Sequence, residues 1–278
     1  MTSNSFIQKT PFPNFFIVGA NKAGTTSLHY YCSQHPDIFM AAAKEPMFFT
    51  SRSPAQEKGL DEESNKTRKY RHYFTLQEYM ELFESATEPL RGESSTNYLA
   101  HPDAAVGISK FNPNSKIIAI LRNPVERAIS DFKFQIKVNK WEKRSFSQAI
   151  NDALDGRIKD EHTDLVKGAL SFSPRRYLTL GLYGSHVEKY KKYFPEKNLL
   201  IADYDDYNKD TKGFVQRVYK FLGTDDLFSP DIRRLNTSNN EGEFPLDKEL
   251  AVKIKDFFKE DIIQLQKLVD FDVIKWLQ

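Results

Sequence analysis

Cysteine is nearly absent from this chain, because its 278 residues include a single one, Cys32. An intramolecular disulfide is therefore excluded, and a thiol-poor chain of this size fits a reducing compartment. Cys32 follows Tyr30 and Tyr31 on a predicted helix. The ordinary interpretation of such a residue is a small packed side chain rather than a nucleophile.

Long apolar runs are also missing. Runs such as residues 117–121 fall far short of the roughly 20 residues that a membrane-spanning helix needs. Residues 1–9 do not place a basic region before an apolar block, so the sequence predicts no signal peptide. From these absences we expect a cytoplasmic protein.

A strong net charge is the third absence, since the formal charge is only +2. The global field therefore gives no indication of a nucleic-acid or polyanion partner. With 40% hydrophobic and 13% aromatic residues, the chain has the composition of a folded protein with a sizeable core. We expect one domain over residues 1–278, in which the polar, aperiodic stretch 50–72 is a surface loop or a lid.

Buried strands and helices alternate along the chain. Residues 14–19 and 116–121 are short, apolar and β-branched, as in a parallel sheet, and a third strand is predicted at 198–202. Helices are predicted at 25–34, 75–86, 185–194, 209–222 and 246–269. Another begins after Asn123, which suits the N-cap, with Pro124 at the first helical position and Glu126 completing a capping box. This alternation predicts an α/β fold whose mainly parallel sheet is covered by helices on both faces.

The loop between the first strand and the first helix has the chemistry of an anion site. Gly19 and Gly24 have the spacing of a Walker A loop, but Thr25 stands where the Walker lysine would be, and the lysine lies inside the loop as Lys22. Glycines allow the backbone to approach a ligand closely, and the following helix contributes its positive N-terminal end. The predicted donors to the anion are Lys22, Ala23, Gly24, Thr25 and Thr26.

A longer pattern makes this loop specific. Residues 15–28, with His35-Pro36 and residues 44–49 downstream, resemble the 5′-phosphosulfate loop of sulfotransferases that use 3′-phosphoadenosine 5′-phosphosulfate (PAPS). The resemblance is closest to the heparan-sulfate branch and its bacterial relatives. Residues 121–131 resemble the family's 3′-phosphate segment, which implies that Arg122 and Ser130 hold that phosphate. A guanidinium suits this role because its planar fork gives two charge-assisted bonds.

The resemblance also implies a fold and a mechanism. The expected fold is a P-loop-like three-layer sandwich, and the expected donor substrate is PAPS, with no metal. Lys22 and the loop amides would stabilise the leaving phosphate, and Glu45 would be the general base. The alternative for Glu45 is an ordinary ion pair with Lys44. Because another branch of the family uses histidine, His101 is the other residue to test as a base.

Two segments depart from the family pattern. Within residues 91–99, Ser94 stands where relatives carry an active-site lysine, and Thr96 stands where they carry proline. The C-terminal loop of the family commonly contains Lys-Gly-Arg, but residues 235–245 have no basic residue. Arg233 or Arg234, just upstream, is the candidate replacement.

The sequence leaves alternatives open for the acceptor substrate and for the class of protein. The small net charge and the lack of a predicted anchor favour a small natural product or a sugar-containing metabolite over a heparan-like glycan. A P-loop nucleotide kinase would need lysine directly after Gly24 and an acidic residue at the end of a following strand, whereas the chain has Thr25 and Arg122. A non-catalytic nucleotide-binding protein would show damage at Lys22, Glu45, Arg122 or Ser130, and all four residues are present.

Overall fold

A computed structural model describes residues 12–50, 75–139, 142–155, 176–233 and 246–278. The predicted loop or lid at residues 50–72 lies outside these ranges except for Thr50. Within them, no helix is both long and apolar enough to cross a lipid bilayer.

The centre of the described fold is a five-stranded sheet in which every strand pair is parallel. The strand order is β2-β3-β1-β4-β5. Their bounds are β1 (Phe15–Gly19), β2 (Ile38–Met40), β3 (Leu90–Ser94), β4 (Lys116–Leu121) and β5 (Leu199–Asp203). The expected parallel sheet is confirmed.

Helices cover this sheet. In chain order they are α1 (Thr25–Cys32), α2 (Leu76–Glu81), α3 (Ala104–Phe111), α4 (Pro124–Phe134, continued by a π-helical turn at Gln135–Asn139), α5 (Phe146–Leu154), α6 (Arg176–Thr179), α7 (Tyr183–Tyr193), α8 (Tyr204–Lys209), α9 (Thr211–Leu222) and α10 (Lys248–Gln266). Short 3₁₀ turns lie at Phe48–Thr50, Thr96–Tyr98, Glu196–Asn198 and Ile274–Leu277. Successive side chains of a strand point to opposite faces, and all of β1 and nearly all of β4 is buried, so both faces of the central sheet are covered.

Predicted and observed elements differ at their ends, and two strands (β2 and β3) and three helices (α3, α5 and α6) were not predicted from the sequence. Residues 75–86 were expected to be helical, but α2 ends at Glu81, and Thr75 forms a capping box with Glu78 at its start. The Asn123 cap is confirmed, because its side chain accepts hydrogen bonds from the amides of the first turn of α4. The carboxylate of Glu126, expected to complete a capping box there, instead accepts from Arg122.

One large apolar cluster includes residues from Phe15 in β1 to Trp276 near the C-terminus. A smaller apolar cluster contains Ala41, Tyr79 and Met80 of α2, and Phe83 just after α2. The single-domain assignment for residues 1–278 stays a prediction. Because all strands are parallel, their carboxyl ends meet at one edge of the sheet. The chain segments that leave the five strands at this edge form the candidate site.

Candidate active site

The glycine loop leaves β1 and turns directly into α1. Lys22 has φ of 67° and Gly24 has φ of 79°, so both lie in the left-handed region. Glycine is favoured at position 24, because its φ is positive and a Cβ there would lie 2.3 Å from Cε1 of Tyr207. Gly24 is the N-cap of α1 and provides no side-chain cap, which leaves the first amides of the helix at Thr25 and Thr26 without a side-chain partner. Such amides form an anion-binding helix end.

The Lys22 ammonium lies over the ring of Phe134, 4.1 Å from its centroid. Burial lowers the pKa of Lys22 to about 8, Asp131 opposes this shift, and Arg122 adds to it. A lysine held in a partly desolvated, cation-rich place gains most from an anion that restores its charge. The predicted role of Lys22 as an anion contact therefore fits its surroundings.

Arg122 directly follows β4 and lies against the loop. Its Nη1 donates to the carbonyl oxygen of Lys22 at 3.3 Å, its Nε and Nη2 each lie 3.2 Å from Oε2 of Glu126, and its guanidinium stacks over Tyr204 at 4.8 Å. The structure thus brings the predicted pair Lys22 and Arg122 together. Ser130 lies further along α4, half-buried, and its hydroxyl has no hydrogen-bond partner within the described residues.

A buried ionic cluster on α4 and α6 lies beside Lys22. The Asp131 carboxylate accepts from Nε of Arg176 at 2.9 Å, from Nη1 of Arg127 at 3.3 Å and from Nε2 of Gln135 at 2.8 Å. Burial would raise the pKa of Asp131, but Arg176 and Arg127 outweigh it and hold that pKa low. The guanidinium groups of Arg127 and Arg176 thus share the Asp131 carboxylate close to Lys22. This cluster was not predicted from the sequence, although the i,i+4 spacing of Arg127 and Asp131 is a visible signal.

Glu45 lies in a turn after β2, buried, with φ of 60°. Its Oε2 accepts from the amide of Thr96 at 2.8 Å, and its Oε1 accepts from the Thr96 hydroxyl at 3.0 Å. Oε1 also accepts from Nζ of Lys44 at 2.7 Å. The ion pair considered from the sequence is therefore present. It does not compete with the proposed role, because a carboxylate offers several acceptor positions.

Thr96 connects Glu45 to the glycine loop. Its carbonyl oxygen would lie 3.3 Å from a Cβ placed on Gly19, the last residue of β1. The amides of Ser95 and Leu99 donate to the carbonyl oxygens of Ile17 and Val18 in the same strand. Lys22 and Glu45 thus belong to loops at one edge of the sheet, with Thr96 between β1 and the Glu45 turn.

Among the histidines that the structure describes, none repeats the arrangement of Glu45. Nδ1 of His29, on α1, lies 3.0 Å from Oγ of Ser94, and burial together with Lys44 lowers the pKa of His29 to about 4. His101 is buried beyond the 3₁₀ turn at Thr96–Tyr98, and its Nδ1 accepts from the amide of Asp103. Burial lowers the pKa of His186 to about 3. The Cys32 thiol is buried too, and burial raises its pKa to about 12, as a packed residue requires.

The predicted C-terminal contact is only partly described. Arg234 and residues 235–245 lie outside the described ranges. Nε of Arg233 forms an exposed ion pair with Asp231 at 2.5 Å, and the carbonyl oxygen of Arg233 accepts from the Tyr31 hydroxyl of α1. Among the described residues, no three or more His, Cys, Asp or Glu side chains group as metal ligands would. The metal-free scheme stays a prediction.

Comparison with known proteins gives this site a context. The family model described as the sulfotransferase domain matches residues 12–260 of this chain. The human bifunctional heparan sulfate N-deacetylase/N-sulfotransferase 2 is 26% identical over 92% of this chain, and human carbohydrate sulfotransferase 15 is 22% identical over 95%. The chain spans 29% and 54% of those two proteins, respectively. The crystal structure of a sulfotransferase from Alicyclobacillus acidocaldarius superimposes with a TM-score of 0.78 at 29% identity, covering 96% of this chain and all of that one.

A parallel, helix-covered sheet with a glycine loop at its carboxyl edge defines a P-loop-like α/β protein. The expected fold class is confirmed. The chain belongs to the sulfotransferase family. The nucleotide-kinase alternative is thereby set aside.

Proposed function

We propose that this protein transfers the sulfuryl group of PAPS to a hydroxyl or amine of an acceptor, with Glu45 as general base. The observation that carries the proposal is the placement of Lys22 and the Glu45 carboxylate in loops at one edge of the sheet, joined through Thr96. This arrangement supports the proposal, because a cation for the leaving group and a proton acceptor would then lie in the same region.

The donor fits the residues around the loop. The 5′-phosphosulfate would be held by Lys22 and by the amides of Gly24, Thr25 and Thr26. Ala23 lies in the same loop, and its amide donates to the carbonyl oxygen of Ala20 at 3.2 Å. The 3′-phosphate would be held by Arg122 and by Ser130, whose hydroxyl is otherwise unpaired within the described residues.

The transfer itself is an in-line displacement. The acceptor oxygen or nitrogen forms a bond to sulfur while the bond from sulfur to the 5′-phosphate oxygen breaks, and adenosine 3′,5′-bisphosphate leaves. Lys22 and the loop amides stabilise the negative charge that grows on the phosphate oxygen. The acceptor's proton passes to the Glu45 carboxylate, which Thr96 holds by both oxygens.

The acceptor we propose is a small natural product or a sugar-containing metabolite. Where the family pattern has a lysine, this chain has Ser94, which is hydrogen-bonded to a neutral His29. This position therefore carries no charge for an anionic glycan. A glycan chain is the second candidate, favoured by the similarity to proteins named as heparan sulfate and carbohydrate sulfotransferases. The cytoplasmic location expected from the sequence belongs to this proposal and is checked by cell fractionation.

A labelled-donor assay tests the proposal. PAPS carrying radioactive sulfate is incubated with small glycosides, phenols and amines in one arm and with desulfated heparan chains in the other. Label should move to a small acceptor, and label on the chains alone would favour the glycan alternative.

Two variants separate donor binding from transfer. Glu45→Gln should keep its affinity for adenosine 3′,5′-bisphosphate and lose transfer, whereas Lys22→Ala should lose both. Near-normal transfer by Glu45→Gln would overturn the base assignment, with His101→Gln the next variant to test. Thermal stabilisation by ATP with magnesium but not by the bisphosphate would overturn the PAPS assignment.

A further inference from the structure

A second carboxylate, Glu93, lies fully buried in β3 beside the turn that carries Glu45. Three hydroxyl groups donate to it. The hydroxyls of Tyr79 and Tyr98 each lie 2.8 Å from Oε1, and Oγ of Ser95 lies 2.8 Å from Oε2. No cation pairs with Glu93 within the described residues. A buried charge with a complete set of donors costs much less than an unpaired one, so this carboxylate is built into the fold.

Two of those hydroxyls also contact the Glu45 turn. Oγ of Ser95 accepts from the amide of Met47 at 3.1 Å, and the Tyr98 hydroxyl accepts from the amide of Phe49 at 3.3 Å. A hydroxyl has one proton and two lone pairs. Because that proton is donated to Glu93, the lone pairs are left to face the turn amides. Glu93 therefore orients both acceptors that hold this turn.

The turn needs such support. Glu45 and Met47 both have φ of 60°, in the left-handed region that side chains other than glycine's rarely adopt. Residues in this region persist only where their surroundings hold them, and they concentrate at functional sites. Besides the two hydroxyl contacts, the amide of Glu45 donates to the carbonyl oxygen of Ser94 at 2.9 Å.

We propose that Glu93 is a positioning residue for Glu45, acting through the Ser95 and Tyr98 hydroxyls to hold the turn of residues 45–49 in place. The proposal rests on the general-base role given to Glu45 above. In its ionised form Glu93 accepts all three hydroxyl protons, and the turn amides of Met47 and Phe49 keep their acceptors. When Glu93 is protonated, one carboxyl oxygen becomes a donor and at least one hydroxyl must turn away.

The groups around Glu93 bring its protonation into the neutral pH range. Burial raises the pKa of Glu93 to about 7, the three hydroxyls oppose the shift, and the Glu45 carboxylate adds to it. Tyr190 of α7 also faces Glu93, and burial raises the pKa of that tyrosine well above its usual value, as it does for Tyr79 and Tyr98. The tyrosines therefore stay protonated. The ordered turn is present above about pH 7 and loosens as the pH falls through that value.

Tyr79 provides a matched control. It donates to the same oxygen of Glu93 as Tyr98 does, but within the described residues its hydroxyl holds no turn amide. Removing either hydroxyl takes one donor from Glu93, and only the Tyr98 change also removes an acceptor from the turn. A merely structural role for the buried cluster predicts the same result for Tyr79→Phe and Tyr98→Phe.

The first experiment measures hydrogen exchange at the amides of Met47 and Phe49, as protection relative to the intrinsic rate. Glu93→Gln should lower protection at both amides by about tenfold or more. Ser95→Ala should lower it by the same factor at Met47, and Tyr98→Phe at Phe49. Tyr79→Phe should stay within about twofold of the wild-type protection at both amides. Wild-type protection should fall between about pH 8 and pH 6, and the Glu93→Gln value should not. Undiminished protection in Glu93→Gln, or equal losses in the two tyrosine variants, would overturn the proposal.

The second experiment follows the reaction with labelled PAPS and the acceptor identified by the panel above. Glu93→Gln should lower kcat by about tenfold while its Kd for adenosine 3′,5′-bisphosphate changes by less than about twofold. If Glu93→Gln does not fold, Ser95→Ala supplies the same readouts. An unchanged kcat in a folded variant overturns the positioning role. Near-normal transfer by Glu45→Gln would instead overturn the base assignment and would leave the exchange result on the turn standing.

Discussion

Thr96 donates to both oxygens of the Glu45 carboxylate, through its amide at 2.8 Å and its hydroxyl at 3.0 Å. The amide bond requires a residue other than proline at this position, because proline has no N–H. The departure from the family pattern at Thr96 is therefore a specific contact to the proposed base. It fixes the carboxylate plane from two directions.

We expect Thr96→Val to lower kcat by about tenfold, because Oε1 loses one of its two donors and the carboxylate gains freedom to rotate. Thr96→Pro should lower it further by removing the amide donor as well. Thr87→Val, at an exposed threonine, is the control and should leave kcat unchanged. Donor affinity, measured with adenosine 3′,5′-bisphosphate, should stay unchanged in the valine variant. A fall in affinity parallel to kcat would show that Thr96 acts on the loop rather than on Glu45.

Donor affinity should depend on pH through Lys22. Burial lowers the pKa of Lys22 to about 8, and an anion binds the protonated form. Affinity for adenosine 3′,5′-bisphosphate should therefore fall by up to about tenfold between pH 7 and pH 9, with proton uptake on binding at the higher pH.

Lys22→Arg separates this effect from other titrations, since a guanidinium stays charged in that range. Its affinity, even if weaker overall, should be level from pH 7 to pH 9. Lys209→Arg, at an exposed lysine, should keep the wild-type profile. Calorimetry in two buffers of different ionisation enthalpy measures the proton uptake. A wild-type profile that stays level to pH 9 would contradict the assignment.

The Asp131 cluster should contribute to stability in a pH-dependent way. Arg176 and Arg127 hold the pKa of Asp131 below its usual value, so its contribution is present above an unfolded pKa of about 4 and is lost as the pH falls through the folded value. Asp131→Asn should lower the free energy of unfolding by about 3–5 kcal/mol at pH 7, because it removes the buried carboxylate that Arg127 and Arg176 share. The difference from wild type should shrink in acid. Urea titrations at pH 7 and pH 3 measure it, and an equal difference at both would contradict the expected ionisation.

The sequence predicts the central elements well for a physical reason. β1 and β4 are continuous apolar runs, and the Asn123 cap is a local interaction within a few residues. β2 was missed because it has only three residues, and β3 because Arg91, Glu93 and Ser94 make it polar. Glu93 is compatible with a buried strand only because hydroxyls from other segments satisfy it, which no local pattern reveals.

In the candidate site, too, local patterns predict some residues, whereas other contacts depend on the tertiary structure. The glycine spacing and the family pattern pointed to Lys22, Arg122 and Glu45 together, and the structure places Arg122 against the Lys22 carbonyl. The contact from Thr96 to Glu45 depends on how the end of β3 lies against the turn after β2. Segments about 50 residues apart set that relation, and such tertiary contacts are outside what periodicity and capping report.

The glycine loop offers a last prediction with a matched control. Gly24 and Gly223 have nearly the same φ, 79° and 82°, but a Cβ at Gly24 would lie 2.3 Å from Cε1 of Tyr207, whereas one at Gly223 would meet Nζ of Lys116 at 3.5 Å. Gly223→Ala should cost about 1 kcal/mol of unfolding free energy from backbone strain alone. Gly24→Ala should cost more, because Tyr207 must shift, and it should also weaken binding of adenosine 3′,5′-bisphosphate by displacing the amides at the start of α1. Denaturant titration and calorimetry on both variants test this, and equal costs with unchanged affinity would show that the loop accommodates the methyl group without moving.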